Sequence, residues 1–391
     1  MSQQNKALIF FSFSIGLYPL YLLPSGLPQL THIFATIAVL LYLDNIVKEV
    51  YNLTITKILL AFYFYVFMRQ IHYSLSNDIF DFLIFSPFVF LIVNILIFLF
   101  VITIIKKTDK IVFLKYSIII SLCIPLVVIL YNEILLILDS TFLRTIRATG
   151  TFNNPNQLGY FAICLSGIVS LLYLSKYINR LLFLLIYFIC IFFAIVSLSK
   201  AAIMAILFYL IILVNKEDYK ILFLLFVISL TIIITNLDSI DNFRFISRIL
   251  SIGSDNDDNL EGRGYTVLLN PDFRILFGYG EGFMSKNYER PSFLVNSPGE
   301  VHSTLGGVLI NYGIMGFTLF VLFLLIIFKV SIKKFGFLNL FALFSPFMIY
   351  GLTHNGIRFT IFWIFLALIY SINKDIINED NNIEKTMKKC S

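Results

Sequence analysis

A histidine with hydroxyl neighbours, His302-Ser303-Thr304, closes a polar stretch that begins near Asp238 and carries Arg244, Arg248, Arg263, Arg274 and Arg290. Two other polar segments hold cations in apolar surroundings: Arg147, shortly before Asn153-Asn154-Pro155-Asn156, and Lys200, after Ser197-Leu198-Ser199. An imidazole can take a proton from a hydroxyl near neutral pH. Guanidinium forks grip phosphate oxygens in pairs and steady the charge on a departing pyrophosphate. A base and several guanidiniums on one face suit an inverting transfer from a lipid pyrophosphate to an acceptor hydroxyl. Such a transfer calls for no metal and no cofactor.

Each group also has a plainer role. Asn154 or Asn156 can cap a helix beginning near Gln157, and with Arg147 that helix start can receive an anion. Lys200 can snorkel to a membrane surface or hold a phosphate there. The acidic run Asp255, Asp257, Asp258 and Glu261 lacks the ligand spacing of a calcium loop. Gly278, Gly280 and Gly282 follow no strand that would make them a nucleotide fingerprint, so turn geometry and close backbone approach explain them better. None of the four cysteines has the spacing of a zinc site or a disulfide framework.

The elements that position these groups are membrane helices. Only 13% of the 391 residues are charged and mean hydropathy is +0.90, against roughly 25% charged in soluble domains. That composition predicts an all-α polytopic membrane protein. A crossing takes roughly 20 apolar residues, and the candidate spans are 7–23, 28–46, 55–71, 80–105, 111–131, 157–174, 181–198, 201–215, 221–237, 304–328, 336–353 and 357–373. The expected organisation is spans one to nine over 1–237, a long loop over 238–303, spans ten to twelve over 304–373, and a tail over 374–391.

Lysines sort the connections. With the N-terminus in the cytoplasm, every inner connection is basic, among them Lys106-Lys107, Lys176 with Arg180, and Lys333-Lys334. The outer connections then hold Arg147, Lys200, the long loop and His354–Arg358. The net charge of +6 resides in lysines at helix ends, which is no nucleic-acid footprint. Charged residues at mid-span are scarce, which weighs against an ion-coupled carrier or a lipid-linked oligosaccharide flippase.

In order, the chain shows Arg147-Ala-Thr-Gly-Thr-Phe-Asn-Asn-Pro-Asn156, Ser197-Leu-Ser-Lys200, Gly262-Arg-Gly-Tyr265, Phe277-Gly-Tyr-Gly280, and Glu300-Val-His-Ser303 leading to Tyr312-Gly-Ile-Met-Gly316. Over roughly residues 140–320 this order resembles the O-antigen polymerase and O-antigen ligase superfamily. The resemblance implies a GT-C-like fold of about twelve transmembrane helices with a large periplasmic loop between the ninth and tenth, in the bacterial inner membrane. It implies a glycosyltransferase acting on undecaprenyl-pyrophosphate-linked glycans, served by a separate chain-length regulator protein. His302 matches the family's loop histidine as candidate base, and Arg263 its pyrophosphate-holding arginine. Lys200 falls where many members carry arginine, so the charge is kept and the bidentate fork is not. Arg147, Arg274, Arg290, Asn156 and Tyr265 complete the implied substrate-binding set. The Thr149–Asn156 stretch and His302-Ser303 are closer to the polymerases, with the ligases as the alternative.

Overall fold

A computed structural model describes residues 2–24, 27–80, 82–105, 111–138, 147–209, 212, 263–269, 271–284 and 301–372. Long apolar runs with few internal breakers become helices wherever they are described. These are α1 (Gln3–Gly16), α2 (Leu30–Val50), α3 (Thr54–Asn77), α4 (Phe82–Ile105), α5 (Ile111–Leu138), α6 (Pro155–Leu174), α7 (Arg180–Val196) and α8 (Lys200–Ile206), which tightens into a 3-10 turn at Leu207–Tyr209. After them come a short α9 (Thr266–Leu269), a 3-10 turn at Phe273–Leu276, α10 (Thr304–Phe335), α11 (Phe337–Gly351) and α12 (Thr360–Ser371). No strand occurs among the described residues.

Five of these helices are long and apolar enough to cross a membrane: α2, α4, α5, α6 and α10. The apolar helices α7, α8 with its 3-10 extension, α11 and α12 are shorter. α3 has the length, 24 residues, but Arg69, Gln70 and His72 dilute its apolar character. The ninth expected span, 221–237, and the tail lie outside the described residues.

The first expected span is shorter than its apolar run. α1 stops at Gly16, about 21 Å of helix at 1.5 Å per residue. Pro19 follows in a turn, and Tyr21 gives its amide to the Thr151 carbonyl (3.3 Å) rather than to a helical acceptor. The eighth span, expected over 201–215, is helical from Lys200 to Ile206 and then changes to 3-10 geometry.

α6 and α12 form the centre of the bundle. Every α6 residue from Leu158 to Leu172 is buried, as is every α12 residue from Thr360 to Ile369. Small residues let the helices close in: a Cβ on Gly159 would meet Ala202 and Ser199 of the α8 segment, and one on Gly167 would meet Tyr209 and Phe365. Around this centre α1 packs on α2 and α5, α4 on α2 and α12, and α3 on α10.

α10 is broken. Gly313 has φ 69° and ψ −174°, which interrupts the helix after Tyr312. The break frees carbonyls that would otherwise accept bonds from the next turn. Tyr279 and Gly280 take two of them, donating to Ile310 O (2.8 Å) and Asn311 O (2.9 Å). Gly278 and Gly313 cross backbone to backbone, with no room for a Cβ on either. Tyr279, Phe283, Met284, Val267 and Val301 then form a small core of their own on Tyr73 and Ile310. The polar loop therefore rests on the ends of α3 and α10.

Candidate functional site

Chain connections gather at one end of the bundle. Asn154 caps α6, its side chain accepting from the amides of Asn156 and Gln157, with Pro155 supplying the pre-set first helical residue. Just upstream, Arg147 donates from Nε to Ser197 O (2.9 Å) and from Nη2 to Asn156 Oδ1 (2.6 Å), tying the approach to α6 to the α7–α8 turn. The Asn156 carbonyl accepts from the Tyr350 hydroxyl (2.6 Å) of α11. Lys200 is the first residue of α8, next to its cap Ser199, whose side chain also reaches the Tyr350 hydroxyl.

The connection between α11 and α12, 352–359, receives the loop from above. Arg263 donates from Nη1 to Thr353 O (2.9 Å), and the Tyr265 hydroxyl to Leu352 O (2.9 Å). The His302 amide donates to the Arg263 carbonyl (3.0 Å), so the candidate base and the loop arginine are joined through backbone. Ser303 caps α10 by accepting from the Gly306 amide (3.0 Å) and donates to Gly351 O (2.9 Å). Thr304 Oγ1 donates to His354 O (2.9 Å) and accepts from the Gly356 amide (2.7 Å).

His354 lies in the middle of this set. Its ring stacks on Tyr350 at 4.3 Å, and Tyr350 stacks on Tyr160 at 4.8 Å. Its Nδ1 pairs with Thr353 Oγ1 at 3.0 Å. Burial pushes the His354 imidazole down to about 3, and the charges of Arg263, His302 and Arg147 push the same way. The structure thus brings Arg147, Arg263 and His302, cations or titratable groups from three distant segments, around one neutral imidazole. Asn156 and Tyr265 hold the frame of that group, and Lys200 borders it through Ser199.

Arg274 is placed elsewhere. It forms an ion pair with Asp272 (2.5 Å) and lies over the rings of Tyr279 (5.0 Å) and Phe283 (5.5 Å), on the α3 side of the loop. The Asp272 side chain holds the guanidinium above its ordinary range. Arg290 lies outside the described residues, as do Arg244, Arg248, the acidic run 255–261 and Glu300. Among the described residues, no cluster of three or more His, Cys, Asp or Glu could hold a metal ion.

Two features were not singled out from the sequence. One is His354 itself, whose signal was a histidine in a short glycine-containing connection between apolar helices. The other is Glu281, buried between Gly280 and Gly282. Its carboxylate accepts from the Tyr312 hydroxyl (2.6 Å) and pairs with Arg358 (3.3 Å). Its amide donates to Gln70 Oε1 (3.0 Å). Glu281 fastens the loop to α3, α10 and the α11–α12 connection together.

Beneath the polar group lies a narrow apolar cavity of about 30 Å³. Leu305, Phe320, Leu324, Phe344 and Phe362 line its walls, with Tyr160, Thr304 and Gly351 also on its lining. These last three also contact the polar group: Tyr160 stacks on Tyr350, Thr304 bonds to the His354 carbonyl, and the Gly351 carbonyl accepts from Ser303.

Neither a protein-family model nor a curated protein matches the chain.

Proposed function

We propose that this membrane protein is a glycosyltransferase of the O-antigen polymerase type. It joins undecaprenyl-pyrophosphate-linked repeat units at the periplasmic face of the bacterial inner membrane. The observation that carries this reading is the convergence of His302, Arg263 and Arg147 on the elements that surround His354: Arg263 is bonded to Thr353, His302 to Arg263 through backbone, and Arg147 to Asn156, which holds Tyr350. One histidine with two guanidiniums suits an anionic leaving group and an acceptor hydroxyl, and the apolar helix faces around that end of the bundle suit a hydrocarbon chain attached to that anion. About twelve spans in a GT-C-like arrangement, with both termini in the cytoplasm, belong to the same proposal, as does a chain-length regulator as partner.

In this mechanism His302 removes the proton from an acceptor sugar hydroxyl as its oxygen attacks the anomeric carbon of the donor. The bond from that carbon to the pyrophosphate oxygen breaks, and the configuration inverts. The pyrophosphate leaves on its lipid, and Arg263 and Arg147 stabilise the negative charge it gains. Lys200 adds a point charge at the border. His354 stays neutral and adds no competing positive charge between the arginines.

The test is polymerisation by purified protein in detergent, with undecaprenyl-pyrophosphate-linked repeat units as sole substrate and no membrane gradient. Chains of several repeats are expected from wild type, and none from His302→Ala or Arg263→Ala protein that inserts and melts normally. Full polymerisation by the double variant would overturn the proposal. Transfer only when lipid A core is supplied would replace it with a ligase.

A further inference from the structure

The polar loop carries an apolar surface that the candidate site does not use. Phe273, Leu276 and Phe277 project from its 3-10 turn, and Phe273 is 76% exposed. Their position indicates what covers them. The Phe277 carbonyl accepts from the Tyr65 hydroxyl of α3 (2.9 Å), and Gly278 lies against the backbone of Asn311–Gly313 in α10. Phe64 and Met68 beside Tyr65, and Ile314 and Met315 after the break, are exposed as well. The apolar face of the turn therefore continues the outward faces of two helices in a membrane bundle, one of them long and apolar enough to cross.

Depth can be counted along α10. Roughly 20 helical residues match the hydrocarbon thickness. Counted back from Lys329 and from Lys334 at the basic end, that length reaches Leu309 and Ile314 respectively. The far edge of the hydrocarbon falls in this interval, which is where Gly278 crosses α10. Arg274 sits higher: its guanidinium lies over Tyr279 and Phe283, which pack with Tyr73, about 12 Å beyond Tyr65 on α3, and Arg69 falls between these two tyrosines on the helix. Rings thus lie toward the acyl chains and guanidiniums toward the phosphates, the arrangement of a snorkelling interfacial segment.

We propose that the Phe273–Phe277 turn is an interfacial anchor, inserted at the headgroup–acyl boundary of the leaflet on the site side. Its partner is the lipid bilayer. The anchor holds the segment that begins with Arg263 and ends with Glu281 at a fixed height above the helices. This inference does not rest on the proposed reaction.

The chain has a single tryptophan, Trp363, which is fully buried, so an added indole can be read against wild type. Phe273→Trp and Phe277→Trp proteins are placed in phosphatidylethanolamine–phosphatidylglycerol nanodiscs, with Phe188→Trp on the exposed face of α7 as the lipid-facing control. The added emission at both positions is expected to be blue-shifted, to be quenched by lipids brominated near the headgroup, and to resist aqueous iodide. Quenching by iodide and not by bromolipid would place the turn in water and overturn the anchor. Resistance to both, with the control still quenched by bromolipid, would mean that protein covers the turn, such as a second copy of the chain, and would overturn it equally.

Discussion

Acidification should loosen the α11–α12 connection, and His354 sets the size of the loss. Its imidazole is pushed from 6.5 down to about 3 in the folded protein, first by burial and then by Arg263, His302 and Arg147. The unfolded connection takes up a proton near 6.5, whereas the folded one stays neutral until about pH 3. The folded state therefore binds fewer protons across that window. Stability is whole above about pH 6.5 and falls as the pH drops toward 3. At about 1.36 kcal/mol per unit, going from 6.5 to 5 removes up to about 2 kcal/mol. Trp363 reports on this region, because its indole donates to Ile357 O (2.7 Å) in the same connection. Thermal unfolding in detergent, followed by that fluorescence, should show the wild-type midpoint falling between pH 7 and pH 5. His354→Gln, which removes this titrating group, should make that slope shallower. Parallel pH profiles for the two proteins would refute the argument.

Two further outcomes follow from the seating of the loop. Gly278→Ala places a methyl group against the Asn311 carbonyl and the Gly313 amide at a residue with φ +90°. It should cost about 3 kcal/mol, seen as a lower midpoint and faster proteolysis of the loop in intact protein. Glu281→Ala leaves Arg358 and the buried Tyr312 hydroxyl without their carboxylate and should cost about 3 kcal/mol. Glu281→Gln keeps an acceptor for Tyr312 and should melt between wild type and the alanine variant in the same assay.

The sequence showed the helices wherever a helix depends on local composition. The apolar runs place the starts of α2 to α7 within about two residues, while α3 and α5 run six and seven residues past their expected ends; a cap at Asn154 or Asn156 was readable from a four-residue turn signal, and Asn154 is the one used. The run over 7–23 misled because apolar content continues past Gly16, while the bond from Tyr21 to Thr151 that draws the chain away is made with a distant segment. Nothing local marks the break at Gly313. Its cause is the loop amides of Tyr279 and Gly280, which compensate the lost helical bonds. In the site, Arg263 and His302 stand out by type, yet their common neighbour His354 did not. Arg263 reaches Thr353 across 90 residues, and Thr304 reaches His354 across 50. Arg274 lies apart from that group, and its pairing with Asp272, only two residues away, is a local ion pair that residue type alone did not indicate.

The bonds at the α11–α12 connection also impose an order of assembly. Chain synthesis runs from Arg263 toward α12, so the loop is made before the carbonyls that hold it. Ile310 and Asn311 arrive with α10, Gly351 ends α11, and Leu352 and Thr353 follow before α12. Until α11 and its following turn are in place, Arg263, Tyr265 and Ser303 lack the carbonyls of Thr353, Leu352 and Gly351 to which they donate. A chain stopped after α10 would keep its earlier helices and His302 and still lack the connection that holds Arg263, Tyr265 and Thr304. Completion of the bundle is then the event that seats the loop, and a nascent protein lacks that seat while it is being threaded into the bilayer.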